Sequence, residues 1–207
     1  MNVKKYKRIC ILDTETTDKY WNRCGPIQIA AEVVDDRGNV IDSFNERIRT
    51  TWTITPEASA VHGITAEDLK NCRQESVVLM DFCCWMKQQE VDVVLTYNGE
   101  AFDRPMLQLR VEKFGIPFDY FNKDKFPGFD GAVDVREAKR RNLFGLKDAL
   151  GPRKWNLGDT ANALGFSNEG AHDALVDVEM LKKVFFKLDP VLHPERWEDA
   201  AASGSLF

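Results

Sequence analysis

ICILDTETT, residues 9–17, begins as a buried strand and ends on two acids. Residues 8–13 read as a strand, because Ile9, Cys10, Ile11 and Leu12 form an uninterrupted apolar run. In a strand, residues i and i+2 share a face, so Asp13 and Glu15 stand side by side at its C-terminal end. Like charges held that close raise one another's pKa. Two surroundings relieve them. One is water, if the strand simply leaves the core there. The other is a divalent cation such as Mg²⁺, which takes a few carboxylate oxygens and keeps its remaining waters. The pair alone does not choose between them.

The rest of the chain sets bounds. Its 207 residues suit one domain, and 43% hydrophobic with 29% charged residues is the composition of a globular protein with a sizeable core. No apolar run reaches the length of a membrane span. The basic start MNVKKYKRIC passes straight into a strand without the apolar region of a signal peptide. The five cysteines, Cys10, Cys24, Cys72, Cys83 and Cys84, are odd in number and lack C-x-x-C spacing. This argues against a disulfide framework or a zinc site and for a reducing, cytoplasmic setting. A net charge of −5 argues against a plain polyanion-binding protein. Between Arg136 and Lys154, however, seven cations (Arg136, Lys139, Arg140, Arg141, Lys147, Arg153, Lys154) meet two acids, Glu137 and Asp148. Such a segment either follows a phosphate backbone or is a solvated helix face.

Two strands are expected around the turn Asp36 to Asn39 in IQIAAEVVDDRGNVIDSFNERI. TPEASAVHGITAEDL predicts a short helix stopped at Gly63 and a second helix starting at Thr65, with Asp68 completing a capping box. Helical spacing runs from Ser76 to Gln89, VDVVLTYN is a buried strand, and Ala101 to Phe114 is a helix with Pro105 in its first turn. AVDV, residues 132–135, reads as a short strand leading into a basic helix from Arg136, and Leu157–Leu164 and Asp173–Leu188 are the last helices. IPFDYFNKDKFPGFDG, 116–131, is an aromatic-rich packed loop. Hairpin strands followed by strands alternating with helices predict an α/β fold with a mixed sheet. Asp13 and Glu15 then lie where open α/β sheets bind ligands.

Two later segments carry acids of the same kind. YNGEAFDRPML places Asp103 just past the strand ending at Tyr97, at a helix start, where N-capping is the competing explanation. GAHDALVDVEML places Asp177 among Ala174, Leu175, Val178 and Leu181, beside a core-facing stripe where an acid needs a partner. His172 and Asp177 would lie about 140° apart on a continuous helix. His172 therefore belongs to the loop or first turn after Gly170. Asp13, Glu15, Asp103 and Asp177 form a candidate ligand set for two hard cations about 4 Å apart, the arrangement that cleaves phosphodiesters.

The blocks LDTETT, PEASAVHGIT, YNGEAFD and HDALVDVEML, in this order, resemble those of the DEDDh (DnaQ-like) family of 3′→5′ exonucleases. The His-x4-Asp spacing of His172 and Asp177 matches the DEDDh branch. The resemblance implies a ribonuclease H-like fold with a five-stranded mixed sheet flanked by helices, and an exonuclease domain over 1–190 with a C-terminal extension over 191–207. It implies Asp13, Glu15, Asp103 and Asp177 as ligands of two Mg²⁺ or Mn²⁺ ions and His172 as general base. Glu57 and His62 match contacts to the terminal nucleotide, and Thr16, Asn98 and Phe102 are further candidate substrate contacts. The implied partner is the 3′ end of single-stranded DNA. Two alternatives stay open: an exoribonuclease of the same family, and a catalytically silent nucleic-acid-binding subunit of a polymerase. Asp18, Lys19, Tyr20 and Trp21 replace the Gly-Leu that often follows this motif, and Gln28 stands where Glu is common; both bear on substrate preference. The tail ends in SLF, which resembles the end of the bacterial sliding-clamp-binding motif, with Ser203 and Gly204 replacing its usual Gln and Leu. Leu206 and Phe207 are thus either clamp contacts or an accidental tail.

Overall fold

The alternation of apolar residues along the first strand sets up two separate cores. The computed structural model describes residues 6–152 and 154–197. Its strands are β1 (Ile9–Thr16), β2 (Pro26–Val34), β3 (Val40–Arg49), β4 (Arg73–Gln74), β5 (Val93–Thr96) and β6 (Gly128–Asp130). They form one sheet in the order β4-β3-β2-β1-β5-β6. β1, β2 and β3 are antiparallel neighbours, whereas β5 runs parallel to β1 and β6 parallel to β5. The sheet is mixed, as expected, with six strands rather than five. The added strand is the two-residue β4, which pairs with the far end of β3 and is too short to carry a period-2 signal.

Residues Ile9 and Ile11 of β1 join Ala30, Val34 and Leu95 in a core shared with α5 (Gly131–Arg140), α7 (Leu157–Ala163) and α8 (Ala174–Leu192). Cys10 and Leu12, on the opposite face, join Ile29, Ala31 and Val94 in a core shared with α3 (Glu75–Gln88) and α4 (Asp103–Lys113). The remaining helices are α1 (Pro56–His62), α2 (Ala66–Leu69) and α6 (Leu146–Leu150).

The local signals act as the sequence predicts in most places. Asp35 accepts from the backbone of Arg37 and Asn39 to close the β2–β3 turn. Gly63 is left-handed (φ 72°) after α1, and Thr65 and Asp68 form a full capping box on α2. Residues 132–135 are helical, not extended. Asp130 caps α5 by accepting from the Ala132 N–H at 2.9 Å, and the short strand lies just before it as β6. The basic stretch is two helices, because Asn142, Phe144 and Gly145 take left-handed backbone between α5 and α6. α8 runs four residues past Leu188, with Pro190 inside it. The aromatic loop is packed as expected: Phe118 and Phe121 are buried, and Tyr120 stacks on Phe126 with ring centroids 4.0 Å apart. All five cysteines are free. No helix among the described residues is long and apolar enough to cross a membrane. Leu206 and Phe207 lie outside the described residues.

Candidate active site

β1 outlasts its neighbour β5. Their pairing stops at Ile11 with Leu95, and the last residues of β1 project into the crevice between β5 and the start of α8. Asp13 and Glu15 continue the line of Ile9 and Ile11, so they face α8. Thr14 continues the line of Cys10 and Leu12, so it faces α4. One strand end thus reaches ligand-bearing helices on both sides of the sheet.

On the α8 side, carboxylate oxygens of Asp13, Glu15 and Asp177 lie within 4.8 Å of one another. On the α4 side, Asp103 accepts from the Thr14 hydroxyl at 2.5 Å. Asp103 is therefore beside the three-acid cluster rather than in it. Its position depends on Gly99. A β-carbon there would stand 2.5 Å from Thr96 Cβ and 2.8 Å from Asp103 Oδ2, so only glycine lets the chain turn this tightly under the acid. Asn98 before it is left-handed, with φ 61°.

The electrostatics are those of crowded acids. Burial, then the charges on Asp103, Asp177, Glu15 and Asp173, pushes the Asp13 carboxyl well above the usual range. Burial, then Asp177, Asp103 and Asp173, pushes Glu15 up to about 8. Asp103 is raised to about 6 by burial, against the opposing hydrogen bond from Thr14. Asp177 is also raised, chiefly by burial, although His172 works the other way. Oxygen donors, no thiolate, and mutual repulsion suit a hard divalent cation.

His172 lies before α8, exposed and left-handed (φ 72°) after a left-handed Gly170. Its backbone N–H points at both Asp177 oxygens, at 3.3 and 3.4 Å. The loop placement expected from the helical angle is the one observed. His62 lies across the cleft. Its Nδ1 accepts from the Ile64 N–H at 3.0 Å, so the neutral ring carries its proton on Nε2, a buried atom, and the Thr16 backbone lies near the ring. Burial lowers the His62 pKa, against a backbone hydrogen bond to Thr16, and the nearby charge of His172 lowers it further.

A cleft of about 440 Å³ opens from Glu15 and Thr16 to Glu57 and His62, a size typical of small-ligand sites. Lys19, Tyr20, Arg23 and Val61 also line it, and the Arg23 guanidinium stacks 4.1 Å from the Tyr20 ring. Asn98 lines a different cleft, with Tyr97 and Trp155. Phe102 is half-buried against the α3–α4 core and lines neither cleft.

Two residues at the site were not expected from sequence. Thr14 stands between two acids, and only the strand alternation, which turns it to the opposite face, could single it out. Asp173 caps α8 by accepting from the Leu175 N–H at 3.0 Å and also faces Gln28 Nε2 at 3.5 Å. Its field on the acid cluster carries no sequence signal, because it depends on where the start of α8 lies against β1.

Residues 10–185 match the family described as Exonuclease (RNase_T). A PolC-type DNA polymerase III from Thermotoga petrophila is 26% identical over 86% of the chain, which corresponds to 11% of that protein. A DNA polymerase from Archaeoglobus fulgidus is 22% identical over 57% of the chain and 19% of its own length. The chain thus spans less than a fifth of these relatives. Among solved structures, a zinc-bound complex of E. coli exonuclease I with single-stranded DNA is similar with a TM-score of 0.71 at 20% identity, covering 92% of this chain and 42% of that one. At that identity the likeness concerns the fold.

Proposed function

Since the chain belongs to the exonuclease (RNase_T) family, we propose that it is a metal-dependent 3′→5′ exonuclease that removes 5′-mononucleotides from single-stranded or frayed DNA ends. The observation that carries the metal dependence is the cluster of Asp13, Glu15 and Asp177, three acids within 4.8 Å of one another. No cationic side chain among the described residues forms an ion pair with any of them. Lys182, a cation of α8, is instead bound to Glu32 at 2.5 Å. DNA as substrate is supported by the two DNA polymerases and the DNA complex among the similar proteins.

Asp13, Glu15 and Asp177 would hold two divalent cations, Mg²⁺ or Mn²⁺, with Asp103 alongside. When bound, such ions neutralise the scissile phosphate and acidify an attacking water. The protein's own residues do the rest. His172, at the mouth of the site, takes the proton from that water as a neutral imidazole. Its backbone N–H to Asp177 ties the loop to the acid cluster. Attack on phosphorus breaks the bond to the 3′-oxygen of the preceding nucleotide, and the departing nucleotide keeps the phosphate at its 5′ position. Glu57, His62 and Thr16 line the cleft that takes the terminal nucleotide.

The test is a matched pair of DNA and RNA single strands, 5′-labelled, incubated with Mg²⁺ or with EDTA. A ladder shortening from the 3′ end of DNA, seen only with the metal, is expected. Faster loss of RNA would move the assignment to an exoribonuclease. No loss of either strand at any metal concentration would leave a silent binding subunit.

A further inference from the structure

The basic run between Arg136 and Lys154 takes no part in the chemistry above. Its placement is not that of a scattered solvated face. On α5, Arg136, Lys139 and Arg140 follow i, i+3, i+4 spacing and share one helix face. Beyond the left-handed break, Lys147 of α6 returns to the same place. Together with Pro152 and Trp155 these four cations line a cleft of about 450 Å³. Glu137 holds Arg140 and Arg141, whereas Arg136, Lys139 and Lys147 have no carboxylate partner among the described residues. Trp155 is 37% exposed, and the Arg136 guanidinium stacks 5.0 Å from its ring.

Trp155 also lines the neighbouring cleft with Tyr97, Asn98 and Lys154, and the residues next to this lining approach Asp103 and the residue before His172. Asn98 precedes Gly99, whose added β-carbon would meet Asp103. Gly158, just beyond Leu157 in α7, would place a β-carbon 3.8 Å from that of Ala171, the neighbour of His172. Trp155 is thus shared by a cleft near Asp103 and the His172 loop and by a cleft lined with cations that lack a carboxylate partner among the described residues. A solvated helix face requires neither concavity nor an aromatic ring. A ring for stacking set among cations suits unpaired bases and their phosphates, whereas a duplex keeps its base faces covered.

The geometry points to a track for single-stranded nucleic acid that runs from the acid cluster past Trp155 to Arg136, Lys139 and Lys147 and holds the strand behind the end being cut. Only the direction of the strand rests on the exonuclease reading. On a chain of net charge −5, this local positive field also orients an approaching polyanion.

The track is tested by fluorescence anisotropy of a labelled thymidine dodecamer with Ca²⁺ replacing Mg²⁺, alongside hydrolysis of the dodecamer and of a trinucleotide with Mg²⁺. The variants are Trp155→Ala and the combined Arg136→Glu, Lys139→Glu and Lys147→Glu, each checked by thermal melting. Trp155→Ala is expected to weaken dodecamer binding about tenfold, the effect of one lost stacked base. The triple variant should flatten the slope of log affinity against log salt by about 2, since each phosphate contact contributes about 0.7. Its KM for the dodecamer should rise far more than its KM for the trinucleotide. If the triple variant does not fold, Arg136→Gln carries the same test at smaller size. Unchanged dodecamer affinity and salt slope overturn the track. So does a blunt duplex bound as tightly as the single strand with the same loss in the variants. Binding losses as expected, with no hydrolysis by the unaltered protein, would keep the track and remove the exonuclease reading.

Discussion

In the proposed reading, Asp13 and Glu15 are a structural burden that a bound cation would relieve. Glu15 moves from an ordinary 4.5 to about 8. An acid whose folded pKa is raised favours the folded state below its unfolded pKa, and that advantage is lost as pH rises through the folded value. The metal-free protein should therefore lose melting temperature between pH values near 4.5 and near 8. Added Mg²⁺ should restore more of it at the alkaline end of this window, because binding only the folded form stabilises it. Thermal melts with EDTA or Mg²⁺ across this range check both signs; a metal-free protein that gains stability with pH would contradict them. Asp13→Asn removes one of the crowded charges. It should abolish hydrolysis while leaving the metal-free melting temperature equal or higher, and near-normal activity in this variant would end the assignment. His172→Ala should cost turnover by about 10²–10⁴-fold, the range for a lost general base, with Mg²⁺ affinity measured by calorimetry largely kept. Recovery of that variant at high Mg²⁺ would make His172 a ligand instead. These acids were legible in the sequence because four motif blocks in order resemble one family, whereas the pair at the strand end alone left solvent as a competing explanation. Thr14 was not, since its importance comes from facing α4, which only the folded sheet reveals.

At the scale of elements, the site depends on where α4 points, because Asp103 is its first residue. α4 is tied to α3 by a bidentate pair in which Arg110 donates to both oxygens of Glu75, at 2.5 and 2.6 Å. Both residues are buried, and Arg110 also packs over Trp52 and Phe114. Removing one partner of a buried pair strands the other charge, so Glu75→Ala should cost about 3–5 kcal/mol in urea unfolding. Replacing both residues, as Glu75→Leu with Arg110→Met, should recover most of that loss. If the single and double variants are equally unstable, the packing matters and the charge does not. The sequence placed the helices and the β2–β3 hairpin because caps, turns and β-branched runs are local signals. It misplaced β6 by four residues for an equally local reason. Ala132, Val133 and Val135 suit a strand by type, but Asp130 captures the Ala132 N–H and starts α5 first. Gly128 adds a constraint that no local signal carries: a β-carbon there would collide with the guanidinium of Arg104, which is itself buried and bonded to Glu100, Tyr120 O and Phe126 O.

For the whole molecule, the strands that supply both cores are, among the described residues, β1, β2 and β5, and α8 closes the face that carries the acid cluster. The anchoring of α8 is therefore a property of the complete fold. Asp189, fully buried on α8, accepts from Arg196 Nη1 at 2.5 Å and from the Trp197 indole at 2.7 Å. The Trp197 ring packs against Phe186, centroids 5.6 Å apart, in the same core as Ile9 and Ile11. The opposite side of this clasp is Asp134 of α5, raised to about 7 by burial and then by the charge of Asp189, and it lies 3.3 Å from His193 Nε2. A domain ending at 190 would leave Asp189 without either donor. We therefore expect a chain cut after Pro190 to be less stable than one cut after Trp197 by about 3–5 kcal/mol, the cost of a buried charge deprived of its partner. Asp189→Asn in the shorter chain should recover part of the difference, because the uncharged amide is less costly to bury. Denaturant unfolding of the three proteins decides it. Equal stability of the two cuts would show that the folded unit is complete at 190 and that the contacts of Arg196 and Trp197 add nothing to it.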